Sequence, residues 1–372
     1  MKPPAQRGFQ TPPEVIRYFA DKGLKPSFSW KDVYGEEHAH AFTVAKAVDL
    51  ELLNLFKSSI QKALENGQGF ETWRQGIVPE LQRLGWYGRR KVADPEGRWK
   101  SKIVDFSKPA RLQTIFWHNV RAARAAGQWE RIQRTKRGLP YLLYVRTASV
   151  EPRPEHLVWA GVILPVDDDF WKTHFPPNGW GCKCAVRQIT KFEFQRLDGQ
   201  DGYTTDRPSM ETTTFVNNRT GEVTQVPVGI DPGWQTNPGL ARARTLVENF
   251  SARLADAGEE AARKSIAEFV ASPAPRFLAT IPGASFDIPA AVMDGRIVTA
   301  PSGALTGKRP RVRAQDLPLV QRVIDEAAKR EAGEKPRGFT LRALIARTRW
   351  RLSLSRLLQI LSFGKDDAKD PA

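Results

Sequence analysis

Apolar residues recur at helical spacing in three stretches of the first 130 residues. Val44, Val48, Leu52, Leu55 and Ile60 lie three to five apart, which predicts a helix over residues 43–65 with one buried face. Asn66 and Gly67 end it, since both accept the left-handed conformation of a helix terminus. A second helix is expected over residues 69–85, with a kink or restart at Pro79 and a stop at Gly85. Pro109 opens a third, with Leu112, Ile115, Phe116, Val120 and Ala123 on its buried face and Gly127 as its stop. The segment QWERIQRTKRG then reads as a separate turn. Ahead of all three, the first forty residues read as a polar, irregular arm. It closes on FSWKDVYGEEHAHAF, whose aromatic residues suit anchoring on a partner.

From Leu139 the pattern changes. LPYLLYVRT is rich in aromatic and β-branched residues and predicts a strand, HLVWAGVILPV one or two short strands, and AVRQI another. FPPNGWGCKC between them is a loop, because two prolines and two glycines exclude a helix. TTTFVNNRTGEVTQVPVGI reads as a hairpin around Asn-Arg-Thr-Gly. Two short helices follow, roughly over 239–256 and 258–270, then a linker at ASPAPR. FLATIPGASFDIPAAVM and RIVTAPSG predict short strands, and QDLPLVQRVIDEAAKREAG an amphipathic helix. The tail, RGFTLRALIARTRWRLSLSRLLQILSFGK, fits a helix with one apolar and one basic face.

Composition narrows what such a chain does. Of its 372 residues, 41% are hydrophobic and 26% charged, so there is material for real cores, in more than one domain. The net charge of +16 and pI near 10 favour contact with polyanions or acidic protein surfaces. The polar, proline-rich N-terminus lacks the apolar core of a signal peptide, and no apolar run approaches the roughly 20 residues that span a bilayer. The expectation is a protein made and used in the cytosol, or inside a particle assembled there, with no membrane contact.

The chemistry-bearing residues concentrate between His118 and Cys184. The only two cysteines, Cys182 and Cys184, are one residue apart, too close for an unstrained disulfide. They are either free thiols or two ligands of a metal. Zinc accepts thiolate and imidazole ligands in a tetrahedron, and His156 and His174 are the natural additions, with Asp168 or the more distant His118 as substitutes. The competing reading is two small buried packing groups beside a hydrogen-bonded histidine. Catalysis finds less support. A cysteine–histidine nucleophile lacks any marked orienting group. Asp167, Asp168 and Asp169 read as a solvated turn, and Walker and GxGxxG loops are absent. In the tail, Arg342, Arg347, Arg349 and Arg351 are candidates to face DNA, with Trp350 stacking or wedging; otherwise the helix docks on its own domain.

The stretch HLVWAGVILPVDDDFWKTHFPPNGWGCKCAV resembles the Mu F, or phage head morphogenesis, family of minor head proteins. His156, Gly161, Trp171, Pro176, Pro177, Asn178, Gly179, Trp180, Cys182, Lys183 and Cys184 carry that resemblance. Upstream, Thr114, Asn119, Ala123 and Gly127 in TIFWHNVRAARAAG are similar to the family's helix. YFADKGLKPSFSWKDVYGEEHAHAFTVAKA and VPVGIDPGWQTNPG resemble Mu-type members, so the likeness extends over residues 14–240. It implies a low-copy protein of the portal vertex or capsid interior, needed for prohead assembly. Some relatives carry nuclease-like or toxin domains after the core. Here no histidine follows His174, which argues against a histidine-dependent ribonuclease.

Together these readings predict an α+β, multi-domain structural protein without catalytic residues. Residues 1–110 form a helical region that docks on the portal or head, 111–200 a small mixed Mu F-like core, 201–275 a hairpin and helical connector, and 276–372 a basic α+β domain. Expected partners are the portal protein, other head proteins and packaged DNA, with no small-molecule substrate. No cofactor is required beyond the zinc left open above. The expected location is the virion, and the host cytoplasm during assembly. The alternative is a virion-carried DNA-acting enzyme or injected effector with its activity in the last hundred residues.

Overall fold

The computed structural model describes residues 10–39, 41–255, 257–271, 275, 278, 286–305, 310–328 and 339–366. The chain divides into two compact units, residues 1–242 and 243–372, and is α+β throughout.

The first unit starts with helix α1 (Pro13–Ala20), whose Val15, Tyr18 and Phe19 are buried. The arm expected there is therefore part of the core from Pro13 onward; residues 1–9 lie outside the described residues. Its aromatics fold inward too: Phe28 is buried, and Trp30 and Tyr34 pack on Phe215 of the same unit. Two short strands, β1 (Gly23–Leu24) and β2 (Ala41–Phe42), pair in parallel. Helix α2 (Leu50–Glu65) begins seven residues later than the apolar spacing indicates. Lys46 takes a left-handed conformation (φ 73°), and Asp49 caps the helix by accepting the Leu52 N–H at 2.8 Å. Val44 and Ala47 are buried, but at the two ends of a turn in which the Ala47 N–H donates to the Val44 carbonyl at 2.8 Å.

Helix α3 (Phe70–Arg83) runs unbroken through Pro79. Pro79 sits on the exposed side. The acceptor it leaves without a donor is on exposed Gln75, while buried Trp73, Ile77 and Leu81 hold the helix to the core. A hairpin follows, β3 (Arg89–Val92) with β4 (Lys102–Asp105). Helix α4 (Pro109–Thr135) is 27 residues long and does not stop at Gly127. A Cβ at Gly127 would lie 2.5 Å from Val15 Cγ2 and 3.1 Å from its backbone nitrogen, so this glycine is where α1 crosses α4. The expected separate turn is the helix's last two turns, with Trp129 and Ile132 buried. Helices α1–α4 and the segment before α2 share one hydrophobic cluster.

The rest of this unit is built on β5 (Tyr141–Val145), the centre of a three-stranded antiparallel sheet ordered β6–β5–β7, with β6 at Ile163–Pro165 and β7 at Ala185–Ile189. The segment HLVWAG is not a strand. It holds the last two residues of helix α5 (Pro154–Leu157) and a turn closed by Gly161 (φ 85°), where a Cβ would meet the Gly202 carbonyl oxygen at 1.9 Å. Helix α6 (Phe170–Thr173) and the Pro176–Cys184 loop lie between β6 and β7. After β7 come α7 (Lys191–Leu197) and the hairpin β8 (Thr212–Val216)–β9 (Val223–Pro227). At the hairpin's tip, buried Arg219 pairs with Asp94, Asp32 and Glu96. The Arg219 guanidinium holds the Asp94 carboxyl well below its ordinary pKa. Helix α8 (Pro238–Ala255) runs across the division of the chain into units.

The second unit contains α9 (Glu259–Ala271), the hairpin β10 (Asp287–Met293)–β11 (Arg296–Pro301), helix α10 (Val320–Ala328) and an antiparallel meander. The meander is β12 (Phe339–Ile345), β13 (Thr348–Leu354) and β14 (Ile360–Lys365). The basic tail is therefore a sheet, not an amphipathic helix. Ala343, Ile345, Trp350, Leu352 and Leu354 point inward at alternate positions, and Ala346 and Arg347, both with positive φ, form the two-residue turn that strand twist favours. The linker at ASPAPR and the end of the QDLPLV helix fall largely outside the described residues.

Candidate functional site

Three side chains converge beneath the Pro176–Cys184 loop. His156 Nδ1 lies 3.7 Å from Cys182 Sγ and 3.5 Å from Cys184 Sγ. Helix α5 presents the histidine, and the two thiols come from the end of the loop as it enters β7. His156 and Cys182 are buried, and both cysteines are free. His156 Nε2 faces the Gly229 carbonyl at 2.9 Å, so that nitrogen carries the proton and Nδ1 offers its lone pair to the thiols. Gly229 (φ 86°) packs against Glu155 and Trp159 too closely for any side chain.

The three ligand atoms lie within 4.8 Å of one another. Tetrahedral zinc, with nitrogen near 2.0–2.1 Å and sulfur near 2.3 Å, sets adjacent ligands about 3.6 Å apart. The two nitrogen–sulfur separations fit that edge. A histidine that binds a metal through one ring nitrogen usually donates from the other to a carbonyl or carboxylate, as His156 Nε2 does to Gly229. Without a metal the cluster is a hydrogen-bonded thiol pair. Donation from Cys184, opposed by burial, pulls the Cys182 thiol below its ordinary pKa, and the same contact pushes Cys184 up.

His174 is not in this group. It is fully buried, with Nδ1 2.8 Å from the Thr173 hydroxyl, and its ring stacks on Phe170 at 4.3 Å and meets Trp159 edge-on. Its Nε2 is buried without a partner. Asp168 is taken by the Phe170 N–H and by Arg207. His118 acts elsewhere: its Nδ1 donates to the Thr114 carbonyl (2.7 Å) and its Nε2 accepts the Gly181 N–H (2.8 Å). It thereby joins α4 to the loop as a neutral ring. Burial lowers the pKa of both His118 and His174 to about 4.

The motif residues hold the loop. Asn178 is fully buried; its Oδ1 accepts the Tyr144 hydroxyl at 2.8 Å and its carbonyl accepts the Asp231 N–H. A Cβ at Gly179 would lie 2.6 Å from both Arg153 Nη1 and Asp231 Oδ2. Arg153 and Asp231 form a two-pronged ion pair that also binds both backbone groups of Trp180. Pro176 and Pro177 open the loop through a cis peptide bond. Trp171 is fully buried and donates to the Pro165 carbonyl, while Asn119 donates back to Ile115 within α4. Sequence reasoning missed the Arg153–Asp231 pair, although Asp231 lies in the VPVGIDPGW segment whose likeness to the family it had noted.

In the second unit, Arg342, Arg349 and Arg351 share the exposed face of the meander, with Arg342 opposite Arg351 in the register, and Arg347 sits at the exposed turn. Arg342 pairs with Asp366 at 3.0 Å. Trp350 points the other way, buried and stacked on Phe363, and is not free to stack on a base.

Residues 54–187 match the family described as Phage Mu protein F like protein, a span that runs from α2 into β7 and contains His156, Cys182 and Cys184. The chain is similar to capsid assembly protein F of Escherichia phage Mu, 34% identical over 267 residues, covering 65% of this chain and 59% of the relative. It is also similar to the Mu-like prophage FluMu F protein of Haemophilus influenzae, 31% identical over 239 residues, covering 59% of this chain and 55% of the relative. The chain thus spans less than two thirds of the curated relatives it matches. No solved structure matches it.

Proposed function

We propose that this chain, which belongs to the Mu F-like family, is a minor head protein that acts in prohead assembly, at the portal vertex or capsid interior, as a structural component and not as an enzyme. The observation that carries the proposal is the 34% identity over 267 residues to a protein named for capsid assembly. Its partners are then the portal protein and other head proteins, and its place is the virion. Packaged DNA is a further partner, met by the exposed Arg342, Arg349 and Arg351 face and the Arg347 turn. One purification tests both contacts. Full-length protein co-expressed with the portal protein of its phage should co-elute with it at high salt. DNA retention should fall steeply with salt and weaken in the Arg349→Gln, Arg351→Gln double variant. Loss of portal at moderate salt removes that partner, and DNA retention indifferent to the arginines removes the DNA face.

The same reading gives His156, Cys182 and Cys184 a structural zinc that pins the loop to β7. Purified protein should carry close to one zinc per chain, and Cys184→Ser should lose the metal and lower the melting temperature sharply. Metal-free wild type with an unchanged melt in the variant would leave only the hydrogen-bonded thiol pair.

A further inference from the structure

The first unit encloses a cavity of about 360 Å3 between the segment from Trp30 to Ala45, α4 and the loops carrying Trp180 and Trp234. Tyr18, Trp30, Trp180 and Trp234 supply the aromatic part of its wall. Trp180 meets Trp30 at 6.2 Å, Trp234 at 5.3 Å and His118 at 4.7 Å, ring centre to ring centre. Trp180 is 38% exposed and forms the rim.

Two cations lie in the lining and no Asp or Glu does. Lys22 is buried, and its ammonium donates to the His38 carbonyl at 2.7 Å and lies over the Tyr18 ring. Arg111 gives one nitrogen to the Ala45 carbonyl and lies over the Phe106 ring, and its Nε is buried without a partner. Neither is in an ion pair among the described residues. Burial lowers the pKa of Lys22 to about 7 and that of Arg111 to about 10. A space needed only for packing would be filled with apolar side chains. Desolvated cations without counter-charges raise the folded state's free energy unless a ligand supplies them.

We infer that this cavity receives an aromatic side chain flanked by a carboxylate, presented by an acidic peptide segment of a partner head protein. The ring would lie among the tryptophans and the carboxylate on Arg111 and Lys22. The volume falls in the range of ligand pockets, and an apolar wall with a few convergent polar groups is their usual make-up. The acidic source follows from charge complementarity, since a chain of net charge +16 places two of its basic side chains here with no carboxylate in the lining. The inference rests on the head-assembly reading for the identity of the partner, but not for the chemistry of the site.

The test is calorimetric titration of the full-length protein with acetyl-Asp-Phe-Asp-amide, with its Asn-Phe-Asn counterpart and with free phenylacetate. The acidic peptide should bind with a Kd below about 1 mM, and the amide counterpart at least tenfold more weakly. Phenylacetate should bind more weakly than the acidic peptide. Arg111→Gln should remove at least tenfold of the affinity. Because that variant also loses the Ala45 contact, Trp180→Ala at the rim, which leaves Arg111 and its Ala45 contact in place, is the second, and should also lose at least tenfold of the affinity. Equal binding of acid and amide, no binding up to about 10 mM, or full affinity in both variants overturns the inference. Phenylacetate binding as well as the peptide replaces the peptide with a small carboxylate. Normal heads after loss of the gene would strike the assembly reading and leave an acid-selective cavity standing.

Discussion

His174 is fully buried and His118 partly so; both rings stay neutral, and their pKa values near 4 lie below the 6.5 of an unconstrained histidine. Between those values the unfolded chain binds more protons than the folded one. Stability is therefore complete above about pH 6.5 and falls as the pH drops toward 4, by up to roughly 3 kcal/mol for each ring. His174→Phe keeps the stack on Phe170 and removes the unpartnered Nε2. Thermal melts at pH 7 and 5 should show about 2 kcal/mol less acid loss in that variant, and an identical loss would refute the assignment. At this scale the sequence was informative where spacing forces proximity. Cys182 and Cys184 end one loop, and His156 opens the segment that folds back on it. His174 does not join those three side chains, and nothing local indicates that the short helix before it turns its ring into an aromatic stack. His118, kept as the more distant option, meets the loop at the Gly181 N–H and not at the thiols.

Among the elements, the helices were legible as apolar faces but not as lengths. Glycine at position 127 reads as a stop by composition and is an approach point by packing. Gly127→Ala gains up to about 1 kcal/mol of helix propensity and loses more to the clash with Val15, whose backbone cannot yield, for a net loss of roughly 1–2 kcal/mol. Chemical denaturation checks this, and a variant as stable as wild type would mean that α1 does not cross α4 at this point. The tail was misread for a related reason. RALIARTRWRLSLS has aliphatic residues that fit either a 3.6-residue or a two-residue period, and Leu344, exposed on the basic face, blurs the alternation. The turn at Ala346-Arg347 has no glycine or asparagine to announce it, so the hairpin carries no local signal. By contrast, the β8–β9 hairpin has a Gly-containing turn and was legible.

The whole molecule joins a tryptophan-rich first unit, whose loop is fixed by His118, Asn178 and the Arg153–Asp231 pair, with a second unit that carries a basic sheet face. No described helix is long and apolar enough to cross a membrane. The α+β class and the family likeness were legible because the Pro-Pro-Asn-Gly-Trp-Gly-Cys-Lys-Cys loop is a specific arrangement. The aromatic cavity was not, since Lys22, Trp30, Arg111, Trp180 and Trp234 are scattered over more than two hundred residues. The central claim is that this protein acts in building heads. It is tested most directly by deleting its gene from the phage that carries it and counting heads by electron microscopy of induced lysates. Few or misshapen heads, restored by the full-length chain supplied in trans, are the predicted result. Normal numbers of filled, infectious heads without the protein would contradict it.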